Sequence, residues 1–196
     1  MKNEITLNKE ELKESAINYL KSVNGLNEAE AKQFIATALA YGLNPLKREL
    51  YAIKYSTKFN IITNYEVYLK RADSCGLIDY YNIEITTGSN GLPEIGTFTA
   101  KRKDWSKELK ITYYFKEWTQ NGGIWNQKPF FMFEKCILAN GLRRLIPNEL
   151  GNMPYINEEL WYQEQSNNQV IMGHIEEQEQ KPKNAFVELK KELENE

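Results

Sequence analysis

Histidine and cysteine are nearly missing from this sequence. Its 196 residues include one histidine, His174, and two cysteines, Cys75 and Cys136. A zinc centre draws about four nitrogen or sulfur ligands at short fixed spacings, so it lacks its residues here. A histidine-dependent triad lacks them too, because His174 falls in a polar stretch towards the C-terminus. The cysteine spacing leaves a disulfide open, but there is no CxxC pair and two unpaired thiols are the expectation. Neither GxxxxGKS/T nor GxGxxG occurs, so ATP-driven chemistry lacks its phosphate cradle and no cofactor is expected. No run approaches the roughly 18 apolar residues of a membrane helix, and Met1-Lys2-Asn3-Glu4 opens onto no signal-peptide stretch. A cytoplasmic chain without membrane contact is the expectation.

Apolar material, by contrast, is ample. Hydrophobic residues make up 41% of the chain and charged residues 27%, which supports a packed core and argues against general disorder. The formal net charge of −2 speaks, on its face, against a polyanion ligand. That total hides an asymmetry. Residues 45–147 carry 16 Lys and Arg against 10 acids, whereas residues 157–196 carry 4 Lys against 10 Glu. A basic body with an acidic tail suits a polyanion-binding protein whose tail competes for the same surface, although charge fluctuates along any chain.

Periodicity gives an α+β order. Asn8 with Glu11 three residues on reads as a helix start, followed by Leu12, Ala16, Tyr19, Leu20 and Val23 at helical spacing and Gly25 as a stop. Asn27 opens a second helix with Ala31, Phe34, Ile35 and Ala38 on one face, closed by Gly42. Residues 50–55 and 59–63 form a hairpin around Ser56-Thr57-Lys58, and an amphipathic helix spans 65–75. Strands are expected over 80–87, 95–102 and 109–116. An exposed finger loop is expected over 117–128, with Asn121-Gly122-Gly123 between Trp118 and Trp125. Pro129 suits the first position of a helix running to Leu145, where Pro147 stops it. Residues 148–156 read as a connection, 158–163 as a short helix, 165–183 as poorly ordered and 184–193 as a last amphipathic helix. The expected fold is a small antiparallel sheet with a β-hairpin packed on helices, an N-terminal helical pair and a partly disordered tail.

Three features could carry chemistry. Indoles flanking a Gly-rich loop, with Lys128 beside them, suit base stacking with a cation for phosphate. On the helix that follows, Met132, Lys135 and Arg143 share one face and could track a strand's phosphates. Phe130, Phe133 and Ile137 make the same segment a core helix, and Arg143 and Arg144 also suit its C-terminal dipole. Second, Lys70 and Arg71 on the middle helix, with Lys54 and Lys58 on the hairpin, could wall an anion-binding groove or simply face solvent. The Lys101-Arg102-Lys103 run reads the same way. Third, Asp79 with Glu108-Leu109-Lys110 matches the Asp…Glu-x-Lys arrangement of Mg²⁺-dependent nucleases. Glu-x-Lys is common by chance, and Glu188-Leu189-Lys190 repeats it in the tail.

A far more specific pattern lies at Tyr41-Gly42-Leu43-Asn44-Pro45-Leu46-Lys47-Arg48-Glu49-Leu50-Tyr51-Ala52-Ile53. It resembles the phage single-strand annealing recombinases of the RecT/Redβ (Bet) superfamily, nearest the Redβ branch. The register continues through Ile61-Ile62-Thr63-Asn64-Tyr65-Glu66-Val67-Tyr68-Leu69-Lys70-Arg71-Ala72. It resumes at Trp125, Pro129, Met132 and Lys135, then at Gly141-Leu142-Arg143-Arg144 and Pro147-Asn148-Glu149-Leu150-Gly151. The resemblance covers roughly residues 26–156, an annealing core between an N-terminal helix (1–25) and an acidic tail (157–196).

The resemblance implies a phage- or prophage-encoded protein of the bacterial cytoplasm, not an enzyme. Such a protein binds single-stranded DNA and, without ATP, anneals it to a complement through a duplex intermediate. It also implies homo-oligomeric rings or filaments, a 5′→3′ exonuclease partner and the host single-strand-binding protein. The family's groove positions fall on Trp125, Met132, Lys135 and Arg143, with Lys70 as a match on the opposing helix. Charge and position add Arg71, Lys54, Lys58, Lys128 and Arg144. Redβ-type annealers carry basic residues directly after the helix-opening proline, where this chain has Phe130 and Phe131; that shifts the load to Lys128. Where relatives use a longer C-terminal domain for partners, residues 157–196 are expected to form an acidic tail and one short helix. Two other readings stand beside this one: the Mg²⁺-dependent nuclease using Asp79, Glu108 and Lys110, and a host-factor interaction protein without DNA affinity.

Overall fold

Two asparagines start the first two helices. The Asn8 side chain accepts from the Glu10 N–H (3.4 Å) at the head of α1, Lys9–Leu20, which buries Leu12, Ala16 and Leu20. The complete capping box belongs to α2, Glu28–Tyr41: Glu30 N–H donates to Asn27 Oδ1 (2.9 Å) and Asn27 N–H to Glu30 Oε2 (2.8 Å). This helix buries Ala31, Phe34, Ile35 and Ala38 and ends at Gly42 in the left-handed region, φ +62°. Tyr19 stacks on Phe34 with ring centroids 5.1 Å apart, joining the pair. A single 3-10 turn, Pro45–Lys47, then leads into the hairpin of β1, Leu50–Tyr55, and β2, Lys58–Thr63. The hairpin forms a two-stranded sheet of its own.

This computed structural model describes residues 8–55 and 58–160, which divide into one compact unit ending at Ile62 and a second beginning at Thr63. The expected poorly ordered stretch and last helix, 165–193, lie outside the described residues.

The second unit places a long helix on a three-stranded antiparallel sheet. Its strands are β3, Ile78–Thr87, β4, Pro93–Arg102, and β5, Leu109–Tyr114, in the order β3-β4-β5. Register places Tyr81, Ile83 and Ile85 opposite Ala100, Phe98 and Gly96, and these opposite Leu109, Ile111 and Tyr113. Direct partners share a face, so an apolar side results. The register slips between Ile78 and Tyr80, leaving Asp79 in a bulge. β4 begins earlier than alternation alone predicts because Pro93, lacking an N–H, suits the first residue of a strand.

Around that sheet lie α3, Tyr65–Ser74, α4, Gly123–Gln127, α5, Pro129–Leu145, and α6, Pro147–Leu150. Phe133, Cys136, Ile137, Ala139, Leu142 and Leu145 are fully buried on α5. Three expectations need correction. The finger is folded: a 3-10 turn, Phe115–Glu117, precedes α4, which turns Trp125 inward at 6% exposure. Pro147 starts α6 as well as ending α5, so residues 148–156 are not wholly a connection. Near residue 158 stands only a 3-10 turn, Asn157–Glu159, and no helix continues it to Leu160. Both thiols are free. Among the described residues no helix is long and apolar enough to cross a membrane.

Candidate nucleic-acid interface

Helices α3 and α5 each follow a helix-starting signal: the Asn64 side chain accepts from Glu66 N–H (3.2 Å), and Pro129 occupies the first turn of α5. Both helices bring aromatic residues to the cations of α5. Lys135 Nζ lies 4.8 Å from the ring centre of Tyr65 and 4.5 Å from that of Phe131. The two rings meet edge to face at 6.4 Å. A third side is closed by Glu158, whose Oε1 accepts from Lys135 Nζ at 2.7 Å. Phe131 precedes Lys135 by one helical turn, so this half of the cage is local; Tyr65 comes from another helix.

Arg143 repeats the arrangement two turns on. Its guanidinium lies 4.8 Å from the Tyr68 ring centre and 4.5 Å from that of Tyr155. Both terminal nitrogens donate to the Glu159 carboxylate, one of them at 2.8 Å to Oε2, and that nitrogen also donates to Tyr68 Oη. The side chains are 10% and 3% exposed, so this pair is largely removed from water. Burial alone would lower the Arg143 pKa, but the hydrogen-bonded carboxylate outweighs it and holds the guanidinium charged. Burial pushes the Tyr68 hydroxyl far above its ordinary range, against the pull of Arg143. One donor is left over: Arg143 Nε is buried without a hydrogen-bond partner.

The segment that supplies both carboxylates is tied down at several points. Thr63 N–H donates to the Tyr155 carbonyl (3.0 Å), with a parallel bridge between Thr63 and Ile156. Tyr68 Oη donates to the Pro154 carbonyl (2.8 Å), and Gln120 Nε2 to the carbonyls of Glu158 (3.3 Å) and Leu160 (2.7 Å). Cys136 Sγ donates to the Glu158 carbonyl at 3.3 Å, and burial pushes that thiol's pKa up. Glu159 Oε2 also accepts from the Ile156 N–H (3.1 Å).

The other expected contacts are distributed differently. Met132 is 2% exposed and Trp125 packs on Phe115 with ring centroids 6.3 Å apart, so neither offers a free stacking surface in this arrangement. Lys128 and Arg144 are exposed, at the start and in the last turn of α5. Lys70 is exposed on α3, and the half-buried Arg71 reaches the Glu149 carbonyl at 3.5 Å. In the first unit Lys54 bridges Glu30 Oε2 (2.8 Å) and the Gly25 carbonyl (3.0 Å), and Lys58 is exposed at the start of β2. The residues that sequence reasoning passed over are Tyr65, Tyr68, Phe131 and Tyr155, with Glu158 and Glu159. Spacing could have found Phe131; nothing local marks the two glutamates as partners of α5.

The nuclease-like trio is dispersed in its contacts. Asp79 pairs with Lys101 at 3.5 Å, and Glu108 accepts from the Tyr80 hydroxyl. Among the described residues no group of three His, Cys, Asp or Glu side chains is placed to hold a metal ion.

The RecT family model matches residues 2–172. An uncharacterised protein of Ureaplasma parvum serovar 3 is 29% identical over 144 residues, covering 67% of this chain and 61% of the relative. The chain thus spans about three-fifths of that relative's length.

Proposed function

This chain belongs to the RecT family, and from that premise we propose that it is an ATP-independent single-stranded DNA-binding and annealing protein of phage or prophage recombination. The observation that carries the reading is the pair of aromatic-flanked cations on one helix. Lys135 and Arg143 are eight residues apart on α5, about 12 Å along its axis, a span of a few nucleotides of one strand. Cations at that interval bind a backbone without reading its sequence, as an annealing protein requires. Lys70, Arg71, Lys128 and Arg144 supply further charge in the same unit, and Lys54 and Lys58 in the other. Trp125 and Met132 are buried and contribute packing in that unit.

Annealing needs no nucleotide fuel. Stacking in a forming duplex supplies about 1.4 kcal/mol per step, so the protein need only hold one strand with its bases outward and retain the product. Family membership supports assembly into rings or filaments, in which neighbouring subunits clamp the duplex. The Redβ branch is the finer placement we favour, on the order of the motifs from Tyr41 to Gly151. A 5′→3′ exonuclease and a host single-strand-binding protein are the proposed partners. The test is titration of a labelled oligonucleotide at a series of salt concentrations. Binding whose logarithm falls linearly with the logarithm of salt supports the reading; no binding at low salt sinks it.

A further inference from the structure

Glu158 and Glu159 each pair with a cation that the annealing reading assigns to a bound strand's phosphates. Each carboxylate closes an aromatic cage around a cation of α5: Glu158 on Lys135 at 2.7 Å, Glu159 on Arg143. The two cages are identical in plan, two rings and one carboxylate around one cation. We infer that residues 155–160 form an intramolecular strap that mimics the DNA backbone and is exchanged for it when the strand binds. This rests on the annealing reading and adds its regulation.

Four features support exchange over permanent closure. The strap is held through side chains and by its edge at Thr63, not by a long ladder or a covalent link. Arg143 Nε is a buried donor with no acceptor, so the carboxylate satisfies only part of the guanidinium fork. A phosphate carries more acceptor oxygens and can engage that donor as well. Substituting anion for anion also means that neither cation is left buried without a counter-charge at any stage. The chain continues beyond the strap into a segment rich in glutamate, so displaced carboxylates stay near the cations and compete according to salt.

Two measurements on the full chain test the strap. In the first, affinity for an oligothymidylate is compared among the parent, Glu158→Gln, Lys135→Ala and the double variant. Glu158→Gln should bind about three- to tenfold more tightly at low salt, as expected on removing one partly screened competing charge, and the gain should vanish in the Lys135→Ala background. In the second, hydrogen exchange is followed at the Thr63 and Ile156 amides of the unsubstituted chain. Oligothymidylate should accelerate both: Thr63 loses the Tyr155 carbonyl as the strap leaves, and Ile156, buried inside the strap, loses its burial. A chain that binds DNA but gains nothing from Glu158→Gln, or whose two amides become protected on binding, overturns the strap and leaves the annealing reading standing. A parent chain that binds no DNA overturns both.

Discussion

The ring of Phe98 fills the place where a side chain at residue 141 would begin: a Cβ there would stand 2.6 Å from two of its ring carbons. The contact is matched across the interface, where a Cβ at Gly96 would lie 2.2 Å from Ile137 Cδ1. Helix α5 and strand β4 thus interlock through two glycines, each taking the other element's side chain. This approach fixes the rotation of α5 and therefore the direction in which Lys135 and Arg143 project. Gly141→Ala should gain up to about 1 kcal/mol of helix propensity yet lose more to overpacking. The expected net loss is about 1–2 kcal/mol in urea unfolding, partly recovered by Phe98→Leu. An unchanged or raised stability would contradict the interlock.

The Arg143–Glu159 pair should behave as a buried charge pair. Glu159→Ala leaves the guanidinium without its partner and should lower stability by about 3–5 kcal/mol. Replacing both, Arg143→Met with Glu159→Leu, should recover most of that loss, because neither charge then needs a counterpart. Denaturant titration of the two variants decides the matter; equal losses would mean that Glu159 acts mainly through the Ile156 amide.

The capping box of α2 predicts a pH dependence. Burial raises the Glu30 pKa, but hydrogen bonds from Lys54 and the Asn27 amide overcome it and hold the carboxyl below its ordinary value. A depressed folded pKa contributes stability that is complete above the unfolded value and is lost as pH falls through the folded one. Glu30→Gln should therefore lower stability at neutral and alkaline pH while changing it little below the folded pKa, narrowing the difference between neutral and acid pH. Melting curves over the acid range, parent against variant, read this directly.

Lys135→Ala should weaken DNA binding and reduce the slope of log affinity against log salt by about 0.7, the value for one phosphate contact on a single strand. Equilibrium titrations at several salt concentrations measure it. An unchanged slope would assign Lys135 to Glu158 alone.

Local signals made much of this fold legible. Asn27, Gly42 after the last apolar position, and Pro129 before a run of large apolar residues placed α2 and α5 from composition and spacing. The alternation of β3 to β5 was equally readable. What could not be read were relationships between distant positions. Trp125 looked exposed because its loop holds three polar or glycine residues in a row; its ring turns inward because Phe115 offers an apolar partner. Lys135 and Arg143 were visible as cations on one face. Their rings from α3 and their carboxylates from residues 158 and 159 were not, because those contacts depend on tertiary return of the chain.

The most direct test of the account is the rate at which two complementary labelled oligonucleotides form duplex with the protein present and ATP absent. The account predicts that the protein accelerates duplex formation, that ATP adds nothing, and that Lys135→Ala reduces the acceleration. Duplex formation at the uncatalysed rate, with the protein folded and in excess, would contradict it.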